Sequence, residues 1–259
     1  RLIMCAVRTV YLDNAATTAV DEAVLDAMLP FFGKAYGNPA GACSFSAIAR
    51  NAVNEARADV AALIGAEPDE IFFTSGGTES DNIAVLGTAS DRSRKKIITS
   101  GIEHPAVLNP CRELEKQGFR IVCAPCDGNG VVDAKSIAGE ADAGTGLVSI
   151  MAANNELGTV QDILHIADAA HSCGAFFHTD AVQSVGHIPI NVKQSHIDML
   201  SISSHKLHGP KGIGALYVRR GLKVSPVFFG GGQEKGLRPG TLNVPAIVGF
   251  GKACRIASD

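Results

Sequence analysis

The stretch HIDMLSISSHKLHGPKGIGALY, His196 to Tyr217, decides how the rest of the chain is read. Its first half alternates. Ile197, Met199 and Ile202 are apolar, while Asp198, Ser201 and Ser203 are polar, which predicts a short strand over His196 to Ser203. Lys206 follows where that strand runs out, flanked by His205 and His208. Gly209, Pro210, Gly212 and Gly214 then exclude a helix and allow close backbone approach. Gly214 to Val218 is expected to return as an antiparallel partner strand. A lysine on a rigid strand end, beside hydroxyls and imidazoles, can form a Schiff base or bind a phosphate. Taken alone, it reads as a solvated loop residue, so the rest of the chain must decide.

On either side of this stretch, strand, turn and helix repeat without linkers, low-complexity tracts or internal repeats. Helices are expected over Asp21–Phe32, Ser44–Ile64, from the TSGGTESDN stretch to Leu86, Ala106–Gln117 and Ile163–Cys173, with Val131–Ala141 mixed. Strands are expected over Glu70–Phe73, Lys96–Ser100, Arg120–Ala124, Leu147–Ala152 and Ala175–His178. Strands alternating with helices predict an α/β fold whose mainly parallel sheet is sandwiched by helices. In such sheets a ligand sits at the carboxyl ends of the strands.

The 259 residues suffice for one large domain with a full core, and 46% hydrophobic against 19% charged residues exclude disorder. A net charge of −3 supplies no electrostatic drive toward nucleic acid or an anionic membrane. No apolar run approaches the roughly 18 residues of a membrane span. Residues 1–8, starting at Arg1, read as an irregular leader too short for a signal peptide. Seven cysteines, an odd number, without a secretion signal point to reduced thiols and a cytoplasmic location.

Unusual polar residues fall just after the strands at five places, Lys206 being one. Ser75-Gly76-Gly77-Thr78 opens a helix and can offer N–H groups to an anion; it can equally be a glycine turn with Thr78 as N-cap. His104 can stack on a ring, shuttle protons or cap the helix beginning near Pro105. Asn155 can reach a ligand or serve turn chemistry. Asp180 follows an aromatic strand, where a carboxylate is costly unless paired; a protonated pyridine nitrogen, a helix N-terminus and a solvated turn are the candidate partners. Gln183 lies one helical turn further on. Together, a phosphate cradle, an imidazole, an amide, an acid and a strand-end lysine suit pyridoxal 5′-phosphate. No Gly-x-Gly-x-x-Gly follows the first strand, which counts against a dinucleotide site.

The sequence then resembles the cysteine desulfurases, the NifS/IscS-like group of the class V aminotransferase family. The resemblance is carried by YLDNAATT (Tyr11–Thr18), YGNP (Tyr36–Pro39), TSGGTESDN (Thr74–Asn82), EHPAV (Glu103–Val107), NNELGTVQDI (Asn154–Ile163), HTDAVQ (His178–Gln183), SSHKLHGPKGIGALYV (Ser203–Val218) and GGGQEKGLRPGTLNV (Gly230–Val244). It implies the large domain of an aspartate aminotransferase-like, fold type I transferase over residues 16–259, with residues 1–15 belonging to a small domain whose remainder is absent. It implies that Lys206 bonds the cofactor and moves protons at the substrate Cα. His104 would stack on the ring, Asp180 pair with the pyridine nitrogen and Gln183 with the phenolic oxygen. Gly77, Thr78, Ser203 and His205 would hold the phosphate, and Asn155 would sit beside cofactor and substrate carboxylate. Thr241 matches a residue that reaches the phosphate of a neighbouring subunit, so a homodimer is implied.

The implied reaction takes sulfur from L-cysteine, leaving alanine and an enzyme persulfide that supplies a sulfur acceptor or an iron–sulfur scaffold protein. In the family the attacking cysteine and the arginine that grips the substrate carboxylate lie beyond the position of Asp259. The chain is therefore expected to be a fragment or a naturally truncated form. Selenocysteine lyase, another class V enzyme, and an inactive protein that binds the cofactor or dimerises are the competing readings. Cys43 is the best internal substitute for the missing thiol. Cys123-Ala-Pro-Cys126 has redox or metal spacing but no second pair, and no metal site is expected.

Overall fold

A computed structural model of the chain describes residues 10–90 and 93–258. Residues 1–9, which hold the expected leader and Cys5, lie outside the described residues. Among the described residues seven strands form one sheet: β1 (Ile71–Thr74), β2 (Lys96–Ser100), β3 (Arg120–Ala124), β4 (Thr145–Ser149), β5 (Phe176–Asp180), β6 (Met199–Ser203) and β7 (Gly214–Val218). Their order is β1-β7-β6-β5-β4-β2-β3. From β6 to β3 all neighbours are parallel, and β7 runs antiparallel to both β6 and β1. The mainly parallel α/β sheet and the returning partner strand are as the sequence predicts.

Among the described residues eight α-helices pack on the sheet or on one another: α1 (Glu22–Met28), α2 (Pro30–Gly33), α3 (Ser44–Ile64), α4 (Gly77–Thr88), α5 (Pro105–Lys116), α6 (Ala134–Glu140), α7 (Ile163–Ser172) and α8 (Val244–Ser258). Two apolar clusters separate the layers. Val53, Val60, Val148, Phe177, Leu200, Ile202 and Phe250 belong to one, under α3, α7 and α8. Ile83, Val107, Leu114, Leu147, Met199 and Leu216 belong to the other, under α4 and α5. Among the described residues no helix is long and apolar enough to cross a membrane.

Several departures from the sequence expectation have a local reason. The helix expected over Asp21–Phe32 is split at Pro30, which lacks an N–H and starts a new turn instead. The last central strand begins at Met199 rather than His196, because His196 turns through a positive φ of 52°. The fourth strand starts two residues early, at Thr145. It includes Gly146, where an added Cβ would stand 3.1 Å from the Arg94 carbonyl oxygen. Helix α8 has no counterpart in the sequence reading. It has no broad polar face, and Gly251 lets it press against α3 so closely that a Cβ there would lie 2.5 Å from Ala56 Cα.

The opening stretch also contains a burial that alternation alone misassigns. β6 is buried along its whole length, so its serines face covered space rather than solvent. Asp198 is 0% exposed. Its carboxylate accepts hydrogen bonds from the Phe177 N–H (2.8 Å), His171 Nε2 (2.8 Å) and Arg219 Nε (2.6 Å), which pins the start of β6 to β5.

Candidate active site

Side chains two apart on a strand share a face. On β5 this puts His178 and Asp180 together; on β6 it puts Ser201 and Ser203 together; and the register sets Ser149 opposite His178 and Asp180 opposite Ser201. All five lie on the face covered by α4, so a polar row runs under that helix toward the carboxyl ends of the strands. There the chain forms a cleft of about 500 Å³. Its lining includes Gly77, Thr78, His104, Asn155, Asp180, Gln183, Ser203, His205 and Lys206. Nine of the sequence-predicted residues thus meet in one place, although they come from five separate strand ends.

At one end stands the start of α4. Gly76, not Thr78, is the N-cap; its φ of 151° suits glycine, and no side chain caps the helix. The first N–H groups of α4 are left to a ligand, and the helix dipole favours an anion there. Gly214 on β7 makes this turn possible, since a Cβ at that position would reach 2.7 Å from Gly76 Cα. Ser203 and His205 approach from β6 and the turn after it. His205 is tied to Thr17 Oγ1 at 3.0 Å, and burial, followed by Lys206 and Lys211, lowers its pKa.

At the other end stands Asp180, only 5% exposed. The solvated-turn reading does not hold, and residues 181–187 form turns rather than a helix for it to cap. Its Oδ1 accepts the Val182 N–H at 2.9 Å. Burial raises its pKa, against the Val182 hydrogen bond and the nearby His104 and Lys206. His104 caps α5, its Nδ1 accepting the Ala106 N–H at 3.1 Å, while the same ring lines the cleft. The two readings left open for His104 are therefore compatible, and a neutral ring carries its proton on Nε2. Turn chemistry falls to Asn154, whose Oδ1 accepts the Glu156 and Leu157 N–H groups, and Asn155 is left facing the cleft.

Lys206 stands in the turn that follows β6. Its ammonium donates to the carbonyls of Ala15 and, at 2.8 Å, Ala16, and Gln183 Nε2 donates to Ala15 at 2.9 Å. Asp13, Ala15 and Ala16 therefore form a wall of the cleft. Burial lowers the Lys206 pKa, opposed by Asp13 and Asp180. A lysine so disposed gives up its proton more readily than a solvated one, as a nucleophilic amine must.

Thr241 is the one predicted residue outside the cleft. It is exposed and lines a separate hollow with Tyr36 and Asn38. Among the described residues neither a cysteine nor an arginine lines the cleft. Cys43 is an exposed N-cap of α3 whose thiol pKa is lowered by hydrogen bonds from Ser46, but it does not reach the site. Cys123 and Cys126 are free thiols with raised pKa values, burial being the main cause. Of the acids lining the cleft the sequence reading missed Asp13, Asp81 and Glu156, and it missed Glu103, the buried neighbour of His104. Glu103 is 5% exposed, accepts from Ser100 Oγ (2.6 Å) and Met151 N (2.9 Å), and is pushed up to about 8 by burial. Asp81 and Glu103 lie inside quoted motifs, beside Thr78 and His104, and that adjacency is the signal that could have found them.

The residues present fit pyridoxal 5′-phosphate. An uncapped helix start with Thr78, Ser203 and His205 matches a phosphate, and the amine of Lys206 matches an aldehyde. Asp180, a buried acid whose ionised form needs a cation, matches a ring N–H. The cleft volume is that of a small-molecule site, typically ~300–1,000 Å³.

Comparison with known proteins agrees. Residues 10–259 match the aminotransferase class-V family. The chain is 50% identical over 252 residues to cysteine desulfurase IscS of Dictyoglomus turgidum, covering 96% of this chain and 64% of that protein. It is 51% identical to putative cysteine desulfurase IscS 1 of Bacillus subtilis, covering 96% of this chain and 66% of that one. Among solved structures, a NifS-like protein superposes with a TM-score of 0.94 at 43% identity, covering 97% of this chain and 70% of the other. SspA in complex with cysteine gives 0.93 at 44% identity, with 95% and 72% covered. The chain thus spans just under two thirds of the length of these curated relatives. With the family match running over residues 10–259 and these identities behind it, the chain belongs to the class-V aminotransferase family, whose cofactor is pyridoxal 5′-phosphate.

Proposed function

We propose that this chain is the cofactor-binding large domain of a cysteine desulfurase, residues 1–15 belonging with a smaller domain. The observation that carries the reading is the convergence of Lys206, His104, Asp180 and Gln183 with the uncapped start of α4 in one cleft. When bound, pyridoxal 5′-phosphate draws electron density from the Cα of an amino acid attached to it. Lys206 would hold the cofactor through its amine and, once displaced by substrate, carry the proton to and from Cα. Asp180 would keep the ring nitrogen protonated. Gln183, already aimed by its bond to Ala15, would orient the phenolic oxygen. Gly77, Thr78, Ser203 and His205 would neutralise and fix the phosphate, while His104 would cover the ring face and Asn155 would contact the substrate carboxylate.

L-Cysteine is the substrate favoured by the cysteine complex among the structural relatives. The sulfur would leave on an enzyme thiol and pass to a sulfur acceptor or iron–sulfur scaffold protein. A homodimer is supported by Thr241, which faces away from its own cleft and would complete a neighbour's phosphate site. It is supported also by the exposed apolar side chains Leu25, Leu29, Phe32, Tyr36, Phe45 and Ile48 on α1 to α3.

The test is direct. Purified protein is loaded with pyridoxal phosphate, its absorbance is recorded, and L-cysteine with a reductant is added while alanine and sulfide are followed. A yellow chromophore that Lys206→Ala abolishes and that L-cysteine shifts is the expected result, and alanine and sulfide in equal amounts are expected once an enzyme thiol reaches the cleft. No bound cofactor in the parent refutes the reading, and a bound cofactor whose absorbance L-cysteine leaves unchanged refutes L-cysteine as the substrate.

A further inference from the structure

Asp81 is an acid in the same cleft with no part in the chemistry above. It lies on α4 one turn after Gly77 and therefore on the same helix face. It is 1% exposed, and its Oδ1 has no hydrogen-bond partner. The nearest basic nitrogen, His178 Nε2, stands 3.6 Å away. That ring is no counter-charge. It is 0% exposed, its nitrogens engage Ser149 Oγ (2.8 Å) and Ser201 Oγ (3.0 Å), and burial drives its pKa down to about 3. From the packed elements Asp81 is faced by Asp180 and His178 on β5, Ser201 on β6 and Glu103 after β2. These are two acids and two neutral groups.

Two carboxyls sharing one dry site cannot both ionise. The surroundings decide which one does. Asp180 receives the Val182 N–H and has the basic Lys206 and His104 on its side, whereas Asp81 has only the uncharged Ser201 hydroxyl as a hydrogen-bond partner, and its Oδ1 has none. We propose that Asp81 is a second acid of the cofactor site, one that stays protonated and leaves the pair's single negative charge on Asp180. Asp180 then meets the ring nitrogen as a carboxylate, and Asp81 is a positioning residue that acts through it. Burial, then the neighbouring Asp180, outweigh a hydrogen bond from Ser201 and raise the Asp81 pKa well above the usual carboxylate range, in keeping with that assignment. The consequence for the cofactor rests on the pyridoxal phosphate reading; the protonation does not.

Infrared spectra of the protein carrying 13C-labelled aspartate, taken at neutral pH with and without pyridoxal phosphate, test both parts. The expected result is a protonated-carboxyl C=O band that shifts with the label and disappears in Asp81→Asn. Because Asn is also neutral, that variant keeps its cofactor affinity within about threefold, and the pH titration of the bound chromophore moves by well under one unit, whereas Asp180→Asn loses about tenfold or more. Should Asp81→Asn fail to fold by circular dichroism, Asp81→Ser takes its place. A wild-type spectrum without the band, a band that survives in the variant, or a chromophore titration lowered by about a unit or more overturns the assignment. A wild type that shows the band but takes up no cofactor sinks the cofactor reading and upholds the protonated Asp81.

Discussion

Replacing Asp198 with Ala should destabilise the chain far more than its place in an alternating stretch implies. The buried carboxylate accepts from the Phe177 N–H, His171 and Arg219. Ala leaves the Phe177 N–H without an acceptor inside the sheet, which costs ~1–3 kcal/mol. The two basic partners are 36% and 53% exposed and can rehydrate, so each lost contact costs only ~0.5–1 kcal/mol. The sum is about 3 kcal/mol, which in a domain of this size lowers the melting temperature by ~6–12 °C. Asp198→Asn retains an acceptor for Phe177 and should lose about 1 kcal/mol, or ~2–4 °C.

Thermal unfolding followed by circular dichroism checks both variants, and pH adds a second reading. Burial works to raise the Asp198 pKa, but hydrogen bonds from His171, the Phe177 N–H and Arg219 outweigh it and hold the carboxyl below its ordinary value. Its contribution is therefore present above ~3.9, the unfolded value, and is lost as pH falls through the depressed folded value. The hydrogen bond to Asp198 raises the His171 pKa, so that contribution is full below ~6.5 and is lost as pH rises through the folded value. An Asp198→Ala melting temperature within about 2 °C of wild type, or an Asn variant as damaged as the Ala one, would refute the reasoning.

Glu103→Gln keeps an oxygen for Ser100 and Met151 while removing an acid whose pKa stands at about 8. A raised carboxyl pKa makes the wild type lose stability as pH climbs from ~4.3 to that value, so the variant should show a flatter pH–stability profile and match or exceed wild type at pH 8, measured by urea unfolding. Gly77→Ala puts a methyl 2.7 Å from Val182 Cγ2 at the mouth of the anion site; cofactor affinity should fall about tenfold by fluorescence titration with little change in melting temperature. Glu234→Ala breaks a carboxylate held by Arg57 at 2.6 and 2.8 Å and by the Phe73 N–H at 2.7 Å; it should cost ~3–5 kcal/mol in chemical denaturation, and a loss below about 1 kcal/mol would contradict the geometry.

Much of the architecture was legible in one dimension because period and punctuation are local. Helix α3 ends at Gly65, where φ is +69°, and β2, β3 and β7 run over the residues that alternation and turn signals mark. Pro30 was equally visible and should have broken the first helix. Helix α8 was not visible as an element, because a helix buried on nearly all sides loses the polar stripe that periodicity needs.

The order of the motifs along the chain determined the set of groups at the strand ends: a glycine turn, an imidazole, an amide, an acid and a lysine. Their assembly was decided by strand order and register. These place Ser149 against His178 and Asp180 against Ser201, and carry nine distant residues to one cleft under α4. Tertiary structure alone decided the charges as well. Asp198 and Asp81 are both acids within motif-bearing stretches, yet one is ringed by donors and held ionised, while the other faces acids and neutral groups. Ionisation depends on what the fold packs around a carboxyl, and those neighbours come from elements far apart in sequence.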